Sequence, residues 1–170
     1  MNDVVAHQHT RLPPNEVCHL LAQRLRAETQ GELLFDAASR GRYATDASIY
    51  QIMPVGVFVP RTPDDVATAL AIARELKVPV LPRGGGTSQC GQTTGAALVI
   101  DCSKHLRRVL GVDLAARTAT VEPGLVLDHL NAQLKPHGLW HAVAAPASVG
   151  RRRAWRSSST PANTCGVCSM

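Results

Sequence analysis

The sequence VPVLPRGGGTS, residues 78–88, decides the fold. An apolar, β-branched run ends at Pro82 and Arg83, and three consecutive glycines follow. Because glycine accepts positive φ, such a run can turn successive N–H groups toward one point. A concave set of N–H groups binds an anion without a charged side chain. We therefore predict an anion site at the end of this strand, with Thr87 and Ser88 as hydroxyl donors. A tight, flexible turn is the alternative interpretation.

Two common phosphate-binding loops do not fit this stretch. The dinucleotide fingerprint, Gly-x-Gly-x-x-Gly, follows the first strand of its unit and opens a helix. Here the glycines follow the second predicted strand, and residues 89–95 are too rich in turn formers for a helix. The nucleotide-hydrolase loop needs Gly-Lys-Ser/Thr, which is missing. Arg83 adds a positive charge to the predicted site, or it pairs with a nearby acid.

The residues before the glycines predict a βαβ unit. Residues 55–59, VGVFV, form a short β-rich run. Thr62 is a suitable N-cap and Pro63 a suitable first helical residue, with two acids behind them. Residues 78–82 then form the second strand, with a right-handed crossover expected. The two prolines in this strand favour incomplete pairing or a position near a sheet edge.

The rest of the chain completes an α/β (α+β) plan with sheet pairs of both kinds. Residues 97–101 read as a buried strand, and 108–112 with 118–122 as a hairpin. A helix is predicted over 125–134. A first helix beginning near Pro13 is expected to cover the core rather than form it. Residues 32–50 are expected to be a loop with short pieces of regular structure.

Composition limits the class of protein. The chain has 170 residues, 45% of them hydrophobic but only 4% aromatic, so an aliphatic core is expected. No apolar run reaches the roughly 18 residues that cross a bilayer. The first ten residues lack a secretory pattern. Together with unpaired-looking cysteines, these features favour the cytoplasm, or the periphery of the inner membrane.

The net charge of +5 comes from the C-terminal part of the chain. Residues 1–128 contain thirteen basic and thirteen acidic residues, and the remaining five bases are Lys135, Arg151, Arg152, Arg153 and Arg156. A nucleic-acid groove is usually a basic face with aromatic residues, so no nucleic-acid partner is predicted. Cys165 and Cys168 have the spacing of a zinc ligand pair but lack a second pair, so no metal is predicted.

Residues 79–92 resemble the FAD-binding domain of vanillyl-alcohol-oxidase-type flavoproteins, the PCMH type. Supporting matches are residues 42–48, 59–62, 98–101 and 121–124. The resemblance runs from about Leu33 to Trp140. It is strongest to FAD-linked oxidases of the glycolate oxidase and D-lactate dehydrogenase branch, particularly long bacterial members fused to an iron–sulfur domain.

The resemblance implies a flavoprotein oxidoreductase. Its reaction would be oxidation of a D-2-hydroxy acid, such as D-lactate, with electrons leaving to a quinone, cytochrome or iron–sulfur domain. Some relatives attach flavin through a His at the position of Thr87, so this residue implies non-covalent FAD. The implied cofactor-binding residues are Pro82, Arg83, Gly84, Gly85, Gly86, Thr87, Ser88, Gly91, Gln92, Glu122, Gly124, Pro146 and Ser148.

The resemblance breaks down after Trp140. The family's Gly-Gly turn is replaced by residues 151–160, and a family-like Asn-x-Cys-Gly appears at 163–166. A frame disturbance between about residues 141 and 162 explains this pattern; a divergent tail is the alternative. The expected organisation is an N-terminal helical segment (1–32), a truncated FAD-binding domain (33–150) and a disturbed or disordered tail (151–170).

Three functions remain open from the sequence. The first is the FAD-binding domain of a D-2-hydroxy acid dehydrogenase without its substrate domain. In the family, the catalytic residues lie beyond the flavin domain, so none is assigned here. The second is a non-catalytic remnant with weak or no FAD binding. The third is an interaction protein with a basic tail.

Overall fold

The computed structural model describes residues 14–141 and the backbone of a strand at Val167–Ser169. The helices are α1 (Pro14–Glu28), α2 (Ala37–Arg42), α3 (Pro63–Glu75) and α4 (Leu127–Leu134), with a 3₁₀ turn at Lys135–His137. The strands are β1 (Glu32–Leu34), β2 (Gly56–Val59), β3 (Val80–Arg83), β4 (Leu98–Asp101), β5 (Val109–Asp113), β6 (Thr118–Val121) and β7 (Val167–Ser169).

The first sheet has the strand order β1-β2-β4-β3. Strands β2, β4 and β3 are parallel, and β1 pairs antiparallel with β2. The predicted βαβ unit is present, but β4 lies between its two strands. All four residues of β4 are buried, as expected for a central parallel strand. Strand β3 is at the edge, as its prolines predicted.

The start of α3 agrees with its sequence signals. The side chain of Thr62 accepts a hydrogen bond from the Asp65 N–H at 3.1 Å, and the Asp65 carboxylate accepts from the Thr62 N–H at 3.1 Å. This reciprocal pair is a capping box. Asp65 also accepts from the N–H of Gln30 at 2.9 Å, which joins the end of α1 to the start of α3.

Helix α1 is part of the core, not only its cover. Leu21 and Leu25 are fully buried and pack with Ile72 of α3 and with Phe58 and Leu98 of the sheet. The sequence predicted that this helix would only cover the core. The helical spacing of its leucines does not show how many of them are buried by other elements. A smaller cluster around Val57, Val59 and Val99 forms separately from this core.

The segment 32–50 contains regular structure that composition did not reveal. Strand β1 pairs with β2 over three residues, and α2 begins after Asp36. The Asp36 carboxylate accepts a hydrogen bond from the Ser39 N–H at 2.8 Å and so caps that helix. Short elements of this kind depend on contacts made elsewhere in the chain, so local periodicity does not show them.

The second sheet contains the predicted hairpin. Strands β5 and β6 pair antiparallel with a register irregularity between Val109 and Gly111. Helix α4 packs Leu130 and Leu134 against Ala119 of β6. Strand β7 pairs with the other edge of β6, and it is the only part of the expected tail 151–170 that the structure describes. No helix within the described residues is long and apolar enough to cross a membrane.

Candidate functional site

The glycine loop connects the end of β3 to β4. Gly84, Gly85, Thr87 and Gln89 are exposed. Within residues 14–141, none of the N–H groups of residues 84–89 donates a hydrogen bond to a protein acceptor. Six successive backbone donors therefore have no protein acceptor in this part of the chain, and their binding of an anion stays a prediction.

The backbone of the loop differs in one respect from the prediction. Positive φ was expected along the run of three glycines, but only Gly86 of the three has it, at +66°. A second positive φ, +75°, occurs at Gly91. A Cβ added at Gly91 would lie 2.7 Å from the ring of Tyr50, so both conformation and space require glycine there.

Arg83 binds backbone carbonyls instead of an acid. Its Nη1 donates to the carbonyl oxygens of Tyr43 at 3.4 Å and Thr93 at 3.0 Å, and its Nη2 donates to that of Thr45 at 2.9 Å. The guanidinium also lies 5.2 Å from the centre of the Tyr43 ring, a cation–π arrangement. The nearby acid, Asp101, is its register partner but accepts the Tyr43 hydroxyl at 2.8 Å.

Ser88 and Gln92 close the loop on itself. The Ser88 hydroxyl donates to Gln92 Oε1, and the Gln92 N–H donates to Ser88 Oγ at 3.1 Å. Gln92 Oε1 also accepts from the Cys90 N–H at 3.2 Å. Both predicted site residues thus stabilise the shape of the loop through contacts within it, and their contact with a cofactor stays a prediction.

Asp46 joins a second loop to the glycine loop. Its Oδ2 accepts from the hydroxyl of Thr93 at 3.0 Å, and its Oδ1 accepts from the N–H of Ser48 at 2.9 Å. Hydrogen bonds, the strongest from the Ser48 hydroxyl, lower the pKa of Asp46 to about 2. Asp46 was not among the predicted site residues, although the resemblance over residues 42–48 was a signal for it.

Glu122 and Gly124 join β6 to the segment after β4. The Glu122 carboxylate is 1% exposed and pairs with Arg108, Nη2 to Oε1 at 2.7 Å. It also accepts from the Arg108 N–H at 2.7 Å, and these bonds hold its pKa below the usual value. A Cβ added at Gly124 would lie 2.0 Å from the carbonyl oxygen of Cys102. Both residues therefore have structural roles, and their predicted contact with a cofactor stays a prediction.

The remaining predicted site residues divide into two groups. Pro82 and Thr87 are exposed at the end of β3 and in the glycine loop. Pro146 and Ser148, together with residues 142–166 as a whole, lie outside the described residues. The structure thus places the predicted site residues between 82 and 92 at the end of β3 and in the glycine loop, next to residues 43–48. Glu122 and Gly124 lie elsewhere, where β6 contacts the segment after β4.

Residues 54–151 match the model of the FAD binding domain family. The chain belongs to this family. The predicted resemblance and the α/β fold class, a PCMH-type FAD-binding domain, are thereby confirmed. The chain is an FAD-binding domain related to those of FAD-linked oxidoreductases, among them D-2-hydroxyglutarate dehydrogenases, D-lactate dehydrogenases and glycolate oxidase.

Named relatives agree with the family. The D-2-hydroxyglutarate dehydrogenase of Pseudomonas putida is 38% identical over 142 residues, covering 82% of this chain and 14% of that protein. The glycolate oxidase subunit GlcD of Bacillus subtilis is 37% identical over 119 residues, covering 67% of this chain and 25% of the subunit. The chain therefore spans a quarter or less of the length of these relatives.

A solved structure supports the fold alone. An alkyldihydroxyacetonephosphate synthase matches with a TM-score of 0.61 at 21% identity, covering 71% of this chain and 25% of that one. At this level of identity the likeness says nothing about the reaction. It does show that the fold of most of this chain recurs in a solved structure.

Proposed function

We propose that this chain is the FAD-binding domain of a dehydrogenase that oxidises a D-2-hydroxy acid, and that it holds FAD non-covalently on the loop 84–92. The observation that supports the proposal is the run of six successive N–H groups at residues 84–89 that have no protein acceptor within the described residues, in a loop whose residues are exposed or half-buried. A pyrophosphate, with several anionic oxygens, is a ligand that such a row can bind.

The glycines of the loop fit a close ligand. A Cβ added at Gly84 would meet no atom within 4 Å, and one at Gly85 would meet only the Thr87 methyl at 3.7 Å. Neither residue has positive φ. The protein itself therefore gives no reason for glycine at these two positions, whereas the close approach of a phosphate to the backbone does.

The position in the sheet supports the same ligand. The loop follows the carboxyl end of β3, which runs parallel to β4 and β2. Ligands of open parallel sheets bind at the carboxyl ends of the strands. When bound, FAD supplies the hydride-accepting ring, and the residues of this chain hold and orient it. Thr87 offers no imidazole for a covalent bond, which supports non-covalent binding.

The substrate class follows from the relatives and is a proposal for this chain. Glycolate and D-2-hydroxyglutarate, named in the two relatives, are both 2-hydroxy acids. We infer a D-2-hydroxy acid as substrate, with a quinone, cytochrome or iron–sulfur domain as electron acceptor. We infer that substrate-binding residues correspond to parts of the relatives that this chain does not match.

Reconstitution with FAD tests the proposal. The purified chain is incubated with FAD and passed through a desalting column, and bound flavin is measured by its visible absorbance. We expect yellow protein whose flavin is fully released by acid precipitation. Colourless protein after incubation would contradict FAD binding and favour the non-catalytic remnant, and flavin retained in the acid pellet would contradict non-covalent binding.

A turnover assay tests whether residues of this chain carry out the proposed oxidation. The FAD-loaded chain is mixed with D-lactate, D-2-hydroxyglutarate or glycolate and an artificial dye acceptor. We expect no dye reduction, because the resemblance implies that the catalytic residues lie beyond the flavin domain. Reduction above the rate with free FAD would show that the catalytic groups lie in this chain.

A further inference from the structure

Arg83 holds the main chain of two loops. Its three acceptors are all backbone carbonyls, of Tyr43 and Thr45 in one loop and of Thr93 in the other. These bonds use three of the five N–H donors of the guanidinium, including both on Nη1. A phosphate that bound through Nη1 would break the bonds to Tyr43 and Thr93, so the contacts favour a role for Arg83 in fixing the loops.

Thr93 is held from two sides. Its carbonyl accepts from Arg83, while its hydroxyl donates to Asp46 at 3.0 Å and its N–H donates to Asp46 at 3.4 Å. Asp46 also accepts from Ser48 in its own loop. Arg83 and Asp46 therefore both bind Thr93, which lies at the far end of the glycine loop. We call the hydrogen bonds of Arg83 the first tie and those of Asp46 the second, or Asp46, tie.

The glycine loop rests directly on the first tie. A Cβ added at Gly86 would lie 2.4 Å from Arg83 Nη2. The backbone of Gly86 is therefore in contact range of the guanidinium, and the row of unpaired N–H groups begins two residues earlier. Removing the guanidinium would free both the middle and the end of the loop.

We propose that Arg83 and Asp46 are positioning residues, which set the shape of the glycine loop before FAD arrives, and that Arg83 does not itself bind the pyrophosphate. This inference rests on the proposed function. Its physical basis is preorganisation: a loop that is already ordered loses less conformational entropy on binding, so the ligand binds more tightly.

Lysine separates geometry from charge at position 83. Arg83→Lys keeps the positive charge, but a single ammonium on a flexible stem cannot reproduce the planar fork that reaches three carbonyls. A phosphate ligand would tolerate this change in part, because lysine also binds phosphate. A positioning residue would not.

The test measures the FAD dissociation constant of the full chain by quenching of flavin fluorescence. We expect Arg83→Lys to weaken FAD binding by about tenfold or more, since small misplacements of a site are costly. Arg74→Lys, an exposed arginine in the last turn of α3, is the matched control and should leave the dissociation constant unchanged.

The Asp46 tie is tested at Thr93. Thr93→Val removes the hydroxyl donor and should weaken FAD binding, whereas Thr93→Ser keeps the donor and should restore it. The hydrogen bonds from Arg83 and to Asp46 both act on Thr93, so their effects should not be independent. The FAD dissociation constant of the double variant Arg83→Lys/Thr93→Val should therefore rise by a smaller factor than the product of the two single-variant factors. Serine also lacks the threonine methyl group. If lost packing of that methyl caused the weaker binding, the serine variant would therefore not restore it.

Three outcomes would overturn the proposal. They are unchanged FAD affinity in Arg83→Lys, multiplicative single effects in the double variant, and equal loss of affinity in the serine and valine variants. If Arg83→Lys fails to fold, the comparison of the two Thr93 variants still decides the role of the Asp46 tie. An unmodified chain that binds no FAD contradicts the proposed function itself, and this is distinct from binding that survives the lysine substitution.

Discussion

Gly86 lies against the guanidinium of Arg83, and a Cβ at Gly86 would be 2.4 Å from Arg83 Nη2. The φ of Gly86 is +66°, a conformation that residues with a side chain adopt only at a cost. The conformation therefore requires glycine at this position, and a Cβ would in addition force the guanidinium to move. Any side chain here would displace the arginine from the carbonyls that it binds.

Gly86→Ala should destabilise the chain and weaken FAD binding together. The conformational part of the cost is about 1–2 kcal/mol, the usual penalty for an L-residue in the left-handed region. Displacement of the guanidinium adds to it. Urea unfolding and FAD titration of the same preparation check both effects, and an alanine variant with unchanged stability would contradict the close contact.

Gly85→Val should separate ligand approach from stability. Gly85 has no positive φ and an added Cβ meets only the Thr87 methyl at 3.7 Å, so the free energy of unfolding should change little. FAD binding should be lost, because the side chain blocks approach to the backbone. Gly84→Ala serves as the control for stability, since its Cβ meets nothing within 4 Å. Unchanged FAD affinity in Gly85→Val would remove this residue from the site.

Gly124→Ala should destabilise the connection between the two sheets. An added Cβ would lie 2.0 Å from the carbonyl oxygen of Cys102 and 2.8 Å from that of Leu106. Both neighbours are backbone, which cannot turn aside, so we expect a loss of about 1–3 kcal/mol or more, as in other overpacked sites. Gly111→Ala, with nothing within 4 Å, is the matched control. Equal melting temperatures for the two variants would contradict the close approach.

Glu122→Gln should destabilise the chain at neutral pH. The carboxylate is 1% exposed and bonded to Arg108, so loss of its charge should cost about 2–3 kcal/mol. Because the pKa of Glu122 is lowered, its contribution is complete above the unfolded pKa and is lost as the pH falls through the folded pKa. Unfolding from pH 7 to pH 3 should therefore show a difference that shrinks below about pH 4.

An exposed ion pair provides the control for Glu122. Glu28 pairs with Arg24 on the surface of α1 at 2.7 Å. Glu28→Gln should have no measurable effect, because exposed pairs contribute little. If Glu28→Gln and Glu122→Gln were equally destabilising, burial could not be the reason for the importance of Glu122.

Tyr43 should ionise late. Burial, and then the hydrogen bond to Asp101, raise its pKa to about 12. The neutral phenol therefore stabilises the fold below its unfolded pKa of about 10, and this contribution is lost as the pH rises through the folded value. Absorbance titration near 295 nm should show one late transition that Tyr43→Phe abolishes. The same variant should lose about 1 kcal/mol at neutral pH.

The sequence predicted those features whose signals are local. The start of α3 at Thr62 and Pro63, the hairpin and the glycine loop each depend on residues that are neighbours in the chain. The partners of Arg83 do not: Thr45 is 38 residues away, and the pairing of Asp101 with Tyr43 spans 58. The burial of α1 likewise depends on its packing against α3. The periodicity of its leucines therefore identified the helix but not how deeply it is buried.

The central position of β4 has a consequence for how the chain acquires its shape. Strands β2 and β3 are both made before β4, yet their only hydrogen-bonded connection to each other runs through it. A chain emerging from the ribosome therefore carries two strands with open edges until residues 98–101 appear, and such edges invite association with other chains. The glycine loop joins β3 to β4, so it reaches its final geometry only when β4 has paired with β3. We therefore expect the glycine loop to be unable to bind a ligand until residues 98–101 have joined the sheet.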